Sequence, residues 1–150
     1  MRADPLRSST VVIDASVAVE FLLDMDLSAG AAWLFETALE RDVAIYAPDL
    51  LFVETASAIR RLRLAREISS AAAASAIAAL ARLPIAPVGA ASLVTDAWNM
   101  HESVTIYDAI YATLARRLAT TLVTGDRKLQ RALRARGHDV VALRDVPSAS

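Results

Sequence analysis

The run Thr10-Val-Val-Ile-Asp14 sets four β-branched residues in succession and then a carboxylate. β-branched side chains are stiff in helices and pack well on a pleated surface. An unbroken apolar run has no polar face to give to water, so it needs cover on both sides. The stretch predicts a buried strand with an acid at its carboxyl end. Outward from it, the chain alternates such runs with longer helical patterns. Helices are predicted over Ala15 to Leu23 and Ser28 to Glu40, then a strand over Val43 to Tyr46. Pro48-Asp49 opens a helix to about Arg63, and Ser69 or Ser70 caps another to about Leu83, before Pro84. Ile85 to Val88 reads as a weak strand, because Pro87 cannot donate to a ladder. Ala91 to His101 reads as helical, and Thr105 starts a helix to Leu118. Thr121 to Thr124 is a strand, Asp126 to Arg136 a helix stopped by Gly137, and Asp139 to Leu143 the last strand. Strands alternating with helices predict a parallel sheet covered on both faces.

Composition narrows the class. The chain has 150 residues, 55% of them hydrophobic, which excludes disorder and fits one domain with a sizeable core. The 32 alanines favour helix. There is no cysteine, which excludes a disulfide scaffold, zinc–thiolate sites and a cysteine nucleophile. The longest uncharged run, Ile68 to Ala81, is 14 residues and too short to span a bilayer. With no signal-like N-terminus, a cytoplasmic protein is expected. The core is expected over about residues 10–143, with the first nine and last few residues frayed.

The net charge of −1 conceals a split. Residues 1–57 carry 3 basic and 10 acidic side chains, whereas residues 58–150 carry 13 basic and 7 acidic. All the basic residues except Lys128 are arginines. Solvated helix faces are one reading of this, and an arginine-lined surface for phosphates is the other.

Four acids stand out by position. In open α/β sheets, sites form at the carboxyl ends of strands near a switch point in strand order. Asp14 ends the first strand, and Asp126 lies two residues past Thr124. If those strands are neighbours, the two carboxylates converge. Glu54 lies among Leu50, Leu51 and Ala58 at helical spacing, where an unpaired charge is costly. Asp108 is flanked by apolar residues at a helix start. Each has a plainer role available. Asp14 and Asp126 could cap helices, Asp108 could complete a capping box begun by Thr105, and Glu54 could reach solvent or pair with Arg60 or Arg61.

Carboxylates without histidine or cysteine suit hard cations such as Mg²⁺ or Mn²⁺, which activate water in phosphodiester cleavage. His101 and His138 lack zinc-ligand spacing, and no nucleophile elbow or Gly-rich phosphate loop occurs.

The four segments that carry these acids together resemble the PIN-domain ribonucleases, and among them the VapC toxins of type II toxin–antitoxin pairs. They are Val-Val-Ile-Asp14-Ala-Ser16-Val, Pro48-Asp-Leu-Leu-Phe-Val-Glu54, Thr105-Ile-Tyr-Asp108-Ala-Ile-Tyr111 and Leu122-Val-Thr124-Gly-Asp126-Arg-Lys-Leu. The resemblance spans nearly the whole chain. It implies a three-layer α/β/α sandwich with a five-stranded parallel sheet of order 3-2-1-4-5. It also implies a Mg²⁺- or Mn²⁺-dependent endoribonuclease, with Asp14 and Asp108 as primary ligands and Glu54 and Asp126 completing the quartet. Ser16 and Thr124 match small hydroxyl positions that orient the acids or water. Arg116, Arg117, Arg127, Lys128 and Arg131 surround the last two motifs in sequence and are candidates to hold the RNA backbone. A cognate VapB-like antitoxin and a homodimer are the implied partners, with the helices over 47–65 and 69–83 as contact surface. Rival readings are an RNA-processing PIN nuclease outside toxin–antitoxin pairs, and a nucleic-acid-binding module without turnover.

Overall fold

Val11, Val12 and Ile13 are fully buried, as their unbroken β-branched run demands. They form β1 (Thr10–Ile13), the middle strand of the sheet. The computed structural model describes residues 2–148. The other strands are β2 (Ala44–Pro48), β3 (Ile85–Val88), β4 (Leu122–Thr124) and β5 (Val140–Ala142). All pairings are parallel and the order is β3-β2-β1-β4-β5. Val12 lies opposite Tyr46 on one side and Leu122 on the other, and Ile13 opposite Val123. The chain winds outward from β1 to β3, returns, and winds outward again from β4. The switch point therefore falls between β1 and β4.

The helices are α1 (Ala15–Leu23), α2 (Ser28–Glu40), α3 (Leu50–Leu64), α4 (Ser70–Leu80), α5 (Val94–Ala97), α6 (Ile106–Arg117) and α7 (Arg127–Arg134). They flank the sheet in a three-layer α/β/α arrangement. α6 is the most enclosed: every residue from Ala109 to Ala115 is buried. Only its first turn, with Asp108, and its last, with Arg116 and Arg117, reach solvent. That explains its uncharged middle, in which alanines alternate with Ile110, Tyr111, Thr113 and Leu114.

Several expected boundaries move. Pro48 does not open α3. It is the last residue of β2, opposite Val88, because a strand's final residue needs no further donor of its own. Asp49 then turns its carboxylate away from α3 and accepts from Ala90 N–H at 3.0 Å. Pro87 sits in the edge strand, where a missing donor is tolerated. Ser69 caps α4 by accepting from Ala72 N–H, but the helix stops at Leu80 rather than Leu83. α7 likewise ends at Arg134, and Gly137 takes its positive φ of 82° three residues later.

The expected helix over Ala91 to His101 is broken. A 3₁₀ turn at Ala90–Ser92, α5 and a second 3₁₀ turn at Trp98–Met100 replace it. No side chain caps any of the three pieces. Uncapped ends tighten to 3₁₀ geometry to satisfy their own groups. Leu93, Ala97 and Met100 still point into the core, which leaves Trp98 outside.

Of the first nine residues, expected to fray, the described ones (2–9) include several that are tied to the fold. Leu6 is buried in the core, Ala3 N–H donates to Asp145 C=O at 2.6 Å, and Arg41 pairs with Asp4 at 2.7 Å. At the other end, the expected fraying falls partly on residues 149–150, outside the described residues.

Candidate active site

Parallel neighbours deliver Asp14 and Asp126 to the same end of the sheet. Asp14 follows β1, is 6% exposed, and caps α1 by accepting from Ser16 N–H at 3.1 Å. The Ser16 hydroxyl donates to the same carboxylate oxygen. That hydroxyl in turn accepts from Gly125 N–H at 2.7 Å, just past β4. Ser16 thus ties the ends of β1 and β4 together. The approach is so close that a Cβ on Gly125 would lie 2.9 Å from Ser16 Oγ. Burial pushes the Asp14 carboxyl up to about 6, despite the Ser16 and Thr124 hydroxyls, and the Asp108 charge adds to the rise.

Asp126 is exposed and caps α7, with Oδ1 accepting from Lys128 N–H at 2.8 Å and Leu129 N–H at 3.1 Å. Thr124 is buried, and its hydroxyl accepts from Asp126 N–H at 3.0 Å. Asp108 lies in the first turn of α6, where its N–H donates to the capping Thr105 hydroxyl. Burial raises its carboxyl, Thr105 opposes this, and the Asp126 charge adds to it. Glu54 on α3 is half-buried and accepts from the Tyr111 hydroxyl at 2.7 Å. Burial raises Glu54, Tyr111 opposes, and Asp108 adds. The plainer capping role therefore holds for Asp14 and Asp126, whereas α6 is capped by Thr105 and no reciprocal bond from Thr105 N–H to the Asp108 carboxylate forms among the described residues. Glu54 forms no ion pair with Arg60 or Arg61 among the described residues.

Asp108 is the hub. Its charge is felt by Asp14 and by Glu54, and it feels that of Asp126. The four acids are strung around it rather than packed. Among the described residues no three His, Cys, Asp or Glu side chains form a ready-made metal cage. None of the four has a cationic partner there either. An all-oxygen donor set, short of cations and open to water, fits Mg²⁺ or Mn²⁺, which need one or two carboxylates and keep several waters. It does not fit a structural zinc site, since it has no cysteine and only one histidine, His101, lines a hollow beside the acids.

Tyr111 escaped the sequence reading. Its ring is buried, its hydroxyl holds Glu54, and burial with the Glu54 and Asp14 charges drives its ionisation far above the ordinary range. The available signal was spacing: it stands three residues after Asp108, on the same helix face.

Two hollows flank the acids. One, about 500 Å³, is lined by Asp108, Asp126, Thr105, Lys128 and His101. The other, about 570 Å³, is lined by Ser16, Glu54, Arg61, Tyr107, Met25 and Val53. The structure separates the five candidate basic residues. Lys128 lines the first hollow, and Arg131 is exposed one turn further along α7. Arg127 is paired with Asp145 at 3.1 Å. Arg116 and Arg117 lie eight and nine residues beyond Asp108, about 12–14 Å along α6 at the opposite end of the sheet. There Arg117 pairs with Asp96 and Arg116 contacts His138.

Comparison with known proteins agrees with this architecture. The family model of the PIN domain matches residues 11–134. The chain is 35% identical over 123 residues to a protein named Ribonuclease VapC1 from Mycobacterium tuberculosis, covering 79% of this chain and 86% of that one. It is 33% identical over 135 residues to Ribonuclease VapC3 of the same organism, covering 88% and 94%. Among solved structures, PAE2754 from Pyrobaculum aerophilum superposes with a TM-score of 0.58 at 20% identity, over 90% of this chain and 91% of that one, a likeness of fold. Sequence family, strand order and relatives agree: this chain belongs to the PIN-domain family.

Proposed function

We propose that this protein is a divalent-metal-dependent endoribonuclease acting as the toxin of a toxin–antitoxin pair. The observation that carries this reading is the run of four carboxylates at the carboxyl end of the sheet, none of them in an ion pair, three of which (Asp14, Glu54 and Asp108) are raised in pKa by burial and by a neighbouring acid. The names of the VapC relatives supply the substrate class.

In this reading Asp14 and Asp108 hold Mg²⁺ or Mn²⁺, with Glu54 and Asp126 acting through water. When bound there, such an ion would supply Lewis-acid charge for phosphodiester hydrolysis and lower the pKa of water. The protein's own part is placement. Ser16 and the α1 amide fix Asp14 in one rotamer, Tyr111 aims Glu54, and the α7 amides fix Asp126. Lys128 meets the phosphate backbone from the first hollow, with Arg131 behind it.

We further assign residues 1–150 to one PIN domain acting in the cytoplasm. Among the described residues no helix is long and apolar enough to cross a membrane. A VapB-like antitoxin is the proposed inhibitor. A homodimer through α3 and α4 would cover Val53, Leu64 and Ile77, which are 72%, 63% and 43% exposed. Light scattering should then give twice the 16.0 kDa chain mass.

The deciding experiment is RNA cleavage with Mg²⁺, with chelator, and by Asp14→Asn and Asp108→Asn chains shown to be folded. Cleavage that survives the chelator or both substitutions rejects the assigned chemistry. Growth arrest on expression, relieved by a neighbouring small reading frame, tests the toxin role.

A further inference from the structure

One imidazole stands beside the acids, and its surroundings leave it a single working nitrogen. His101 lines the 500 Å³ hollow together with Asp108, Asp126 and Lys128. Its Nδ1 lies 2.6 Å from the Trp98 carbonyl oxygen. A carbonyl only accepts, so Nδ1 carries a hydrogen and is committed to the backbone. Nε2 is then the nitrogen that gains and loses a proton. It lies 4.0 Å from Oε1 of Glu102, which also lines the hollow. Trp98 braces the ring from the other side. Indole and imidazole centroids are 4.2 Å apart, with planes 5° from parallel. The His101 side chain is nonetheless 41% exposed, so the ring is held without being covered. The Glu102 contact is its one ion contact among the described residues, and at 87% exposure that carboxylate competes weakly with water.

Hydrolysis of a phosphodiester poses two proton problems. The attacking water must lose a proton, and the leaving ribose oxygen must gain one. Carboxylates and a hard cation answer the first. An ionised carboxylate has no proton to give to the second. Lys128 shares the hollow, but an ammonium group holds its proton firmly at neutral pH and serves as a point charge for phosphate. Imidazole is the side chain that both gives and regains a proton near neutrality. At about 500 Å³ the hollow has the size of a small-ligand site, so a group seated on its acids meets the rest of its lining.

We propose that His101 is a general acid, its Nε2–H protonating the ribose oxygen that leaves. The water oxygen bonds to phosphorus, the bond from phosphorus to the ribose oxygen breaks, and the Nε2 proton goes to that oxygen. The surplus proton of the water passes to solvent, from which Nε2 is recharged. The inference rests on the ribonuclease reading and adds a catalytic residue to it. Trp98 is a positioning residue, acting only through His101.

The test changes the leaving atom. A short RNA that the parent chain cuts at one mapped bond is prepared with oxygen and with sulfur at the leaving position. A thiolate is a far weaker base than an alkoxide and departs without a proton. In His101→Gln the amide fills part of the ring's place but transfers no proton. On the oxygen substrate this variant, shown to be folded by circular dichroism, should lose roughly 100- to 10,000-fold in kcat with KM little changed. On the sulfur substrate it should cut at nearly the parent's rate. Undiminished cleavage of the oxygen substrate by His101→Gln overturns the proposal. Equal loss on both substrates does so too, because a structural or phosphate-binding role would produce it. Lys128→Met should lose both substrates alike, and sulfur rescue of that variant but not of His101→Gln would reject His101 as the acid. In each of these cases the parent still cleaves, and only the role of His101 falls. If the parent cuts no RNA of either kind, the ribonuclease reading falls with it.

Discussion

The two ends of the sheet face the same electrostatic problem and treat it differently. At the amino ends of β4 and β5, basic groups crowd: Arg116 Nη2 lies 3.0 Å from His138 Nε2, and Arg136 is near. Burial, Arg116 and Arg136 all lower the His138 pKa, so the imidazole stays neutral and accepts from the guanidinium. The nearby Asp139 accepts from the Thr121 hydroxyl at 2.6 Å. A single proton loss settles that end. At the carboxyl ends, four acids are strung together with no ion pair to any of them among the described residues, Lys128 and Arg61 only lining the hollows beside them. Only protons or a bound cation can relieve them. One end is closed within the fold, and the other is left open for a ligand.

The comparison breaks first if catalysis does not divide along it. Asp108→Asn should lower RNA cleavage by more than the roughly 100-fold that loss of a group merely supporting a metal ligand costs. Arg116→Ala and His138→Ala, at the closed end, should leave the rate of cleavage within about twofold, as expected for groups about 12 Å away along α6. Equal losses from the two ends would erase the distinction.

Stability sharpens it next. The Asp14 carboxyl is raised from an ordinary 3.8 to about 6 in the fold, so the folded chain holds its proton longer than the unfolded one. Its contribution to stability is therefore full below about pH 4 and falls by on the order of 3 kcal/mol as pH rises through 6. Asp108 and Glu54 shift in the same direction and add to the loss. Asp14→Asn removes the ionisation, so with chelator at neutral pH it should be more stable than the parent while being inactive. Urea melts at several pH values check both the sign and the size.

Mg²⁺ at 100 times its dissociation constant should restore about 2.7 kcal/mol to the parent, and little to Asp14→Asn. Equal stabilisation of the two chains would place the ion elsewhere. The smallest expected effect is that of Tyr111→Phe. Loss of its hydrogen bond to Glu54 should cost about 1 kcal/mol of stability and shift the metal response, with the fold unchanged by circular dichroism.

Much of this was legible before the fold was known, and for identifiable reasons. β1 could be read because four β-branched residues in a row admit few alternatives. The boundaries of α1 and α2 agree to the residue with the reading from sequence. Three of the acids were visible because strand ends and caps leave local marks. What escaped was non-local. Pro48 reads as a helix opener until β3 pairs beside it. The 90–100 segment has helical spacing but lacks caps, and cap loss shows only in the fold. Tyr111 looked like core until its hydroxyl met Glu54, 57 residues away. Sequence proximity also drew Arg116 and Arg117 towards the acids, while a helix running the other way carries them off.

The strand order has a consequence in time as well as in space. β1 is made early, but its neighbour β4 begins only at Leu122, after β2 and β3 are complete. Domains form as the chain emerges during synthesis. A chain made only as far as β3 lacks Asp108, Asp126, the Tyr111 hydroxyl that holds Glu54 and the Ser16–Gly125 tie. Its acid run is incomplete until nearly the last strand leaves the ribosome. On the proposed reading, a ribonuclease built in this order stays inert beside the messenger and ribosomal RNA that make it, and becomes dangerous only when synthesis is almost finished.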